Sequence, residues 1–521
     1  MTDSPAKNKK NKTENQVIGG IILKIQSAKS LKKRSLPIFD RLNAPARASL
    51  FYTLGSILSR GAAFLITPII TRLLTPADFG SYSLFNAALS ALTVFGTLDI
   101  CGSVFWRAMQ KFENERHQLL RSALILISIC SAGAFMLFAL AARNFENLKL
   151  FPYALPLLLL SLLSNGAVNL YSSACKFSCR YSFPVASSFI LGVIAPALAC
   201  ATAIFSSKHS GNALFIKVGI TTLVGIATAI PIYFYVMSGR AAKKFAKEQA
   251  PISNAGTFAH IKYLLKLALP MLPYYISLSV MAQADKLIIS SRLGESALGA
   301  YSVANSAGSA LTAVAAGICA SLTPWIMRKA RQQSYFKIRQ VLYRAVTVFL
   351  PLALVFLCFA PELFAFLAPK DYISGLSSVY PIALGGAPQL LAGLINAASL
   401  TYERPSLIIL SGAVPAVISL GLNMLIIDRL GIITAGAVSF ISHILMLLIS
   451  SAVFKRLSGK SLINANKTLH ILLFSLFYAL TLYAFKESIG ARIFFSIVAL
   501  FASAIACLKA KKLLAESSAP S

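Results

Sequence analysis

Acidic residues are scarce in this chain. Its 521 residues hold 17 Asp and Glu against 49 Lys and Arg, and charged residues of both signs make up only 13% of the total. A soluble globular chain carries about 25% charge and 45–50% apolar residues, whereas this one is 57% hydrophobic with a mean hydropathy of +0.71. These figures exclude one or two water-soluble domains, and a disordered basic protein equally. Long hydrophilic stretches are also missing. The longest internal one, about Ser238 to Lys266, is too short for a domain and the outer loops are shorter still. No soluble catalytic module fits, nor does a membrane polymerase or ligase bearing its chemistry on a large outer loop. No Ser/His/Asp set and no paired carboxylates converge in any hydrophilic segment. Ser458-Gly-Lys-Ser461 resembles the end of a phosphate-binding loop, but Phe454 stands where the earlier glycine is required, so nucleotide hydrolysis is excluded. The eight cysteines, Cys175 and Cys179 among them, lie in or beside apolar runs without a zinc spacing and read as buried apolar residues.

What is present is a series of apolar runs. A membrane crossing takes about 20 apolar residues, and fourteen such runs can be read, at 49–72, 81–104, 122–142, 152–174, 183–205, 213–237, 267–290, 299–325, 345–368, 376–400, 406–427, 430–453, 468–485 and 493–508. The fifth and tenth are interrupted by Pro184, Pro196, Pro381 and Pro388, and the last two are short. Residues 1–48 do not read as a signal peptide, because Val17–Ile25 is short and contains Gly19, Gly20 and Lys24. With the N-terminus placed inside, 37 of the 49 basic residues fall on inner segments and ten on outer ones, while Arg60 and Lys286 lie within spans. Most of the net charge of +32 is thus a positive-inside signal that puts both termini in the cytoplasm. The basic residues punctuate apolar runs instead of clustering on a soluble surface, so nucleic acid is not the expected partner and membrane lipid is.

An internal repeat organises the runs. Gly80-Ser-Tyr-Ser-Leu-Phe-Asn-Ala-Ala-Leu-Ser-Ala-Leu-Thr93 matches Gly299-Ala-Tyr-Ser-Val-Ala-Asn-Ser-Ala-Gly-Ser-Ala-Leu-Thr312 at an ungapped offset of 219, with nine of fourteen positions identical. The offset spans six crossings, an even number, so the copies enter the membrane from the same side and form parallel repeats. The expected fold is an all-α polytopic membrane protein: a cytoplasmic basic tail (1–48), an N-terminal six-helix lobe (49–237), a cytoplasmic linker (238–266), a C-terminal six-helix lobe (267–453), two extra transmembrane helices (454–508) and a cytoplasmic tail (509–521). Two parallel bundles facing each other across a cleft suit alternating access.

Leu54-Gly-Ser-Ile-Leu-Ser-Arg60, Arg72-Leu-Leu-Thr-Pro-Ala-Asp-Phe-Gly-Ser-Tyr82 and Leu98-Asp-Ile-Cys-Gly102 resemble the opening of polysaccharide flippases of the Wzx type. Leu269-Pro270, Ala284-Asp-Lys286 and Leu298-Gly-Ala-Tyr-Ser-Val-Ala304 resemble the start of their second half. These flippases belong to the multidrug/oligosaccharidyl-lipid/polysaccharide (MOP) superfamily, and the resemblance covers roughly residues 49–453. It implies a MATE-like fold, a location in the bacterial inner membrane and translocation of an undecaprenyl-pyrophosphate-linked glycan for O-antigen, capsule or exopolysaccharide. A polysaccharide polymerase and glycosyltransferases are the partners it implies. The related lipid II flippases carry a Ser-Arg pair in the place of Ser59-Arg60, which carries over Arg60 alone. Their further cavity arginine has no counterpart in Phe64-Leu-Ile-Thr-Pro68.

An ionised side chain at mid-bilayer costs about 2.5–3.5 kcal/mol on insertion scales, which makes each one inside a span a candidate. Arg60 either offers forked donors to pyrophosphate or pairs structurally with Asp99 on the next helix. Asp285 and Lys286 are neighbours about 100° apart on a helix, so only one faces any given partner. Lys286 joins Arg60 as a candidate for substrate binding, while Asp285 and Asp99 are candidates for ion coupling or a structural pair. Lys217 is expected to snorkel, and His443 to hydrogen-bond within its bundle. Pro270 and Pro273 remove two ladder donors and mark a candidate hinge. No metal site and no cofactor are expected, and coupling to a proton or sodium gradient is left open. The rival readings are a drug or cation antiporter, against which Arg60 and Lys286 lean, and a lipid II flippase, which needs more basic cleft residues than this sequence offers.

Overall fold

The computed structural model describes residues 61, 64–101, 103–144, 154–178, 180, 182–206, 213–238, 256–402 and 405–501. Every regular element among them is helical. Where no water can satisfy a backbone amide, a helix closes its hydrogen bonds within its own segment, and the apolar runs obey that requirement. In chain order the helices are α1 (Phe64–Leu73), α2 (Pro76–Thr97), α3 (Ser103–Lys111), α4 (Arg116–Asn144), α5 (Ala154–Phe177), α6 (Ser182–Phe189), α7 (Ala195–Ser206) and α8 (Ala213–Met237). They continue as α9 (Thr257–Ala268), α10 (Leu272–Arg331), α11 (Tyr335–Cys358), α12 (Ala360–Leu367), α13 (Leu376–Leu384) and α14 (Gly386–Ser399). The last four are α15 (Pro405–Leu430), α16 (Ile433–Ser458), α17 (Ala465–Ala484) and α18 (Ile489–Phe501). Among the described residues nine helical stretches are long and apolar enough to cross a membrane, with shorter apolar helices beside them. The protein is a multi-pass, all-helical membrane protein, as its composition implies.

The interruptions have identifiable causes. Pro196 has no N–H to return to the preceding turn, and the ladder there slips into a π-helix, Ile190–Ile194, between α6 and α7. Around Pro381 and Pro388 the tenth expected span divides into α13 and α14 at Gly385. Pro270 and Pro273 convert one turn to a 3₁₀ segment, Leu269–Met271, between α9 and α10. α10 itself bends at Gly294, whose φ of 84° and ψ of 174° suit a residue without a Cβ. Its arms, 272–293 and 295–331, contain all of the eighth expected span and all but the first five residues of the seventh, which begins in α9 and the 3₁₀ turn.

The corresponding turn in the first repeat lies at Thr75, which is 219 positions before Gly294. There the Thr75 hydroxyl caps α2 by accepting the Asp78 backbone N–H at 3.2 Å, and Pro76 occupies the first turn, where a missing N–H is harmless. Different chemistry makes the same bend in the two halves. Further on, Gly459 in a left-handed conformation terminates α16, so Ser458-Gly-Lys-Ser461 is a helix cap.

Separate cores follow. One gathers α3, α4, α5 and α8 and includes Leu264 and Ala268 of α9. The largest gathers α10 to α18 together with Ile70, Phe79 and Leu84 from α1 and α2 and Leu74 between them. The chain therefore leaves the first core at the 3₁₀ turn holding Pro270 and enters the second along α10. α9 is fastened to the first core by a buried polar contact, His260 Nε2 lying 2.8 Å from Glu115 Oε2 with both side chains buried. Phe112 meets the His260 ring edge-on at 4.7 Å.

Candidate translocation gate and charged sites

The two repeats meet directly. A methyl group placed on Gly80 would lie 1.9 Å from the carbonyl oxygen of Glu295, and one placed on Gly299 would lie 1.9 Å from that of Pro76. Since 80 and 299, and likewise 76 and 295, are each 219 apart, these are two copies of one contact. Reciprocal contacts of this kind define a two-fold relation. Ser302 Oγ donates to Ser83 Oγ at 2.6 Å, joining two residues that are again 219 apart, so the local axis passes between them. Only glycine lets backbones cross this closely, which gives the repeated Gly its physical meaning.

Further bonds seal the same end. The Ser81 hydroxyl donates to Glu295 Oε2 at 2.6 Å. Thr71 Oγ1 donates to the Leu367 carbonyl at 2.6 Å, and the Tyr372 hydroxyl to that of Leu74 at 2.9 Å. Phe79 and Tyr372 pack edge-to-face at 6.1 Å. The α1–α2 turn is thus clamped between α10 and the α12–α13 connection, and this seam has the construction of a closed gate.

The repeated tyrosines sit behind it, each holding a charged group. The Tyr301 hydroxyl donates to Asp285 Oδ2, and the Lys286 backbone N–H donates to Asp285 Oδ1 at 2.8 Å. Asp285 is accordingly buried between the arms of α10, while the Lys286 ammonium turns away to Gln283 Oε1 at 2.9 Å. Its repeat mate Tyr82 lies beneath Lys217, whose Nζ stands 3.4 Å above the ring centroid and 5.7 Å from that of Phe79. Lys217 does not snorkel: it is 2% exposed, and the aromatic faces serve its ammonium by cation–π attraction. Its distance in sequence from those rings hid the partnership. His443 bonds the Ser439 carbonyl of its own helix at 2.7 Å.

Asp99 differs from its expected place inside a span. α2 ends at Thr97, and Leu98 and Asp99 follow in left-handed conformation with φ of 48° and 46°. The carboxylate therefore stands off the helix end, near Tyr275 of α10 in the second repeat. Arg60, the other half of the expected pair, lies outside the described residues. Two pairs that sequence reasoning missed are His260 with Glu115, and Arg492 with Glu362. Arg492 is 3% exposed, and its Nη1 donates to Glu362 Oε2 at 2.7 Å and to the Cys358 carbonyl at 2.6 Å. It ties α18 to α11 and α12, and no local pattern announces it because the partners are 130 residues apart.

Away from the gate, α5, α6 and the π-helix line an open cavity of about 300 Å³. Asn169, Ser172, Lys176, Ser187 and Ser188 contribute its polar wall. Among the described residues no group of three or more His, Cys, Asp or Glu is placed to hold a metal ion.

A parallel pair of helical repeats joined at one end and carrying buried charges defines a multi-pass membrane protein built from two like halves. The chain belongs to the family described as polysaccharide biosynthesis protein, which matches residues 46–330. Among solved structures, the lipid II flippase MurJ in an inward closed conformation has a TM-score of 0.64 at 14% identity, covering 89% of this chain and all of its own. An inward-facing multidrug resistance MATE family transporter has a TM-score of 0.57 at 14% identity, covering 77% of this chain and 96% of its own. A point mutant of the Vibrio cholerae MATE transporter VcmN has a TM-score of 0.55 at 14% identity over 80% of this chain and 98% of its own. At such identities these likenesses speak for the fold. The comparison with curated proteins gave no match.

Proposed function

We propose that the protein is a flippase that moves undecaprenyl-pyrophosphate-linked oligosaccharide repeat units from the cytoplasmic to the periplasmic leaflet of the bacterial inner membrane, for O-antigen, capsule or exopolysaccharide biosynthesis. The observation that carries this reading is the seam of repeat-equivalent residues, Gly80 with Glu295, Gly299 with Pro76 and Ser83 with Ser302, in a chain of the polysaccharide biosynthesis family. A seam built from one contact made twice can open by rotating one half against the other, which is what alternating access requires. With both termini cytoplasmic, the seam faces the periplasm. Arg60 and Lys286 are the substrate-binding cations on this reading. Asp285 and Asp99 are the groups through which a proton or sodium gradient acts, and Pro270 with Pro273 is the hinge. Glycosyltransferases supply the cargo and a polymerase consumes it.

The test is flipping of a defined undecaprenyl-pyrophosphate glycan in proteoliposomes, for the wild type and Arg60→Ala, with lipid II as a second cargo. The glycan should cross at least tenfold faster than in empty liposomes, and Arg60→Ala should slow it by a comparable factor. Transport of lipid II but not of the glycan would overturn the proposed cargo, and equal rates in the two proteins would remove Arg60 from the mechanism.

A further inference from the structure

We infer that the cavity between α5 and α6 is a binding site for a headgroup that is both anionic and rich in hydroxyls, of the sugar-phosphate class. Its lining is ordered along one helix face. Asn169, Ser172 and Lys176 follow at intervals of three and four on α5, and so stack on one side of it. Ser187 and Ser188 of α6 face them, with Leu191 and Gly192 of the π-helix completing the wall. At 1.5 Å per residue the polar strip runs roughly 10 Å along α5 from Lys176 at its end to Asn169 within the span.

Three features indicate what the cavity takes. An amide and several hydroxyls at membrane depth are costly unless something polar meets them; here Asn169, Ser172 and Ser188 line a shared space, while the Ser187 hydroxyl beside them donates to the Pro184 carbonyl at 3.2 Å. Lys176 is the one charged residue in the lining, and no carboxylate accompanies it, so the site favours an anion at its mouth and hydrogen-bonding groups further in. The π-helix brings Gly192 into the lining, where the absence of a side chain lets a ring approach the backbone; such bulges recur at functional sites. A volume of about 300 Å³ is at the small end of ligand sites, suited to one sugar with its phosphate and not to a long glycan. The site would therefore hold the reducing-end sugar and phosphate of a lipid-linked cargo, a role that rests on the flippase reading above. The same chemistry could come from a bilayer lipid with an inositol or glycerol phosphate headgroup.

The experiment separates these sources. Binding to the full chain in nanodiscs is measured for undecaprenyl-pyrophosphate-linked N-acetylglucosamine, undecaprenyl pyrophosphate and phosphatidylglycerol, using wild type, Lys176→Gln, Asn169→Leu and Ser187→Val. Lys176→Gln should weaken the first two lipids about tenfold. Asn169→Leu and Ser187→Val should weaken only the sugar-bearing one, each by threefold or more. Unchanged affinities in all three variants would overturn the site. Losses confined to phosphatidylglycerol would overturn its assignment to cargo. Thermal unfolding of each variant distinguishes a lost contact from a lost fold. Because binding is read without transport, altered affinity in a protein that flips no glycan would sink the flippase reading and leave the site standing.

Discussion

Arg492 counts in the sequence as one basic residue among ten on the outer side, yet its guanidinium is almost wholly enclosed and forks onto Glu362. Its hydrogen bonds hold the Glu362 carboxyl below the usual glutamate range. A carboxylate depressed in the folded state adds stability above its ordinary titration range and loses it as pH falls through that range toward the lower folded value. Arg492→Met should therefore destabilise the protein at pH 7 by about 1–3 kcal/mol, at the low end of buried-pair losses because Glu362 retains solvent access. Thermal unfolding in detergent reads this directly. The gap between wild type and Glu362→Gln should narrow as pH falls below about 4. A gap independent of pH would show that the pair contributes by packing alone. Asp285 was legible as a group needing an internal partner because a lone carboxylate in an apolar run must find one. That the partner is Tyr301 was not legible, since a tyrosine sixteen residues away is one of many donors.

At the scale of elements, prolines and glycines carried most of what the sequence could tell. The breaks near Pro196, Pro270 and Pro381 fall where a missing N–H must be accommodated, and the matching turns at Thr75 and Gly294 fall where the repeat begins. Amphipathic α9 was harder to place, because its polar residues read as part of a hydrophilic connection while Leu264 and Ala268 are buried in the first core. That packing gives Pro270 and Pro273 their position: one side of the 3₁₀ turn is fastened by His260 and Glu115, and the other continues into α10. Replacing both prolines with alanine restores two ladder donors and removes a residue type that costs about 3 kcal/mol in a helix interior. Hydrogen exchange across residues 268–275 should slow at least tenfold in the double variant. Glycan flipping should fall severalfold while the unfolding temperature holds or rises. Faster exchange, or unaltered flipping in a stiffened turn, would show that the bend is a packing feature with no part in motion.

For the whole molecule, the repeat was visible as identities at a fixed offset, and its parallel sense followed from counting crossings. The identity of the touching residues was not visible, because a contact between positions 219 apart leaves no local trace. The structure supplies it through Ser83 and Ser302, which meet on the axis relating the halves. A residue on such an axis is a sensitive reporter, since any rotation that opens the seam must part it from its mate. The two hydroxyl oxygens are 2.6 Å apart, close to the separation a disulfide needs between its sulfurs, about 2.05 Å. Ser83→Cys combined with Ser302→Cys should form that bond under mild oxidation and hold the gate shut. Flipping should then drop at least tenfold and return on reduction, while neither single variant responds to the oxidant. The native cysteines described are free thiols, so the single variants also control for their oxidation. If the cross-linked protein flips its cargo at the reduced rate, the seam is a permanent joint, and the path for the headgroup must open between other helices.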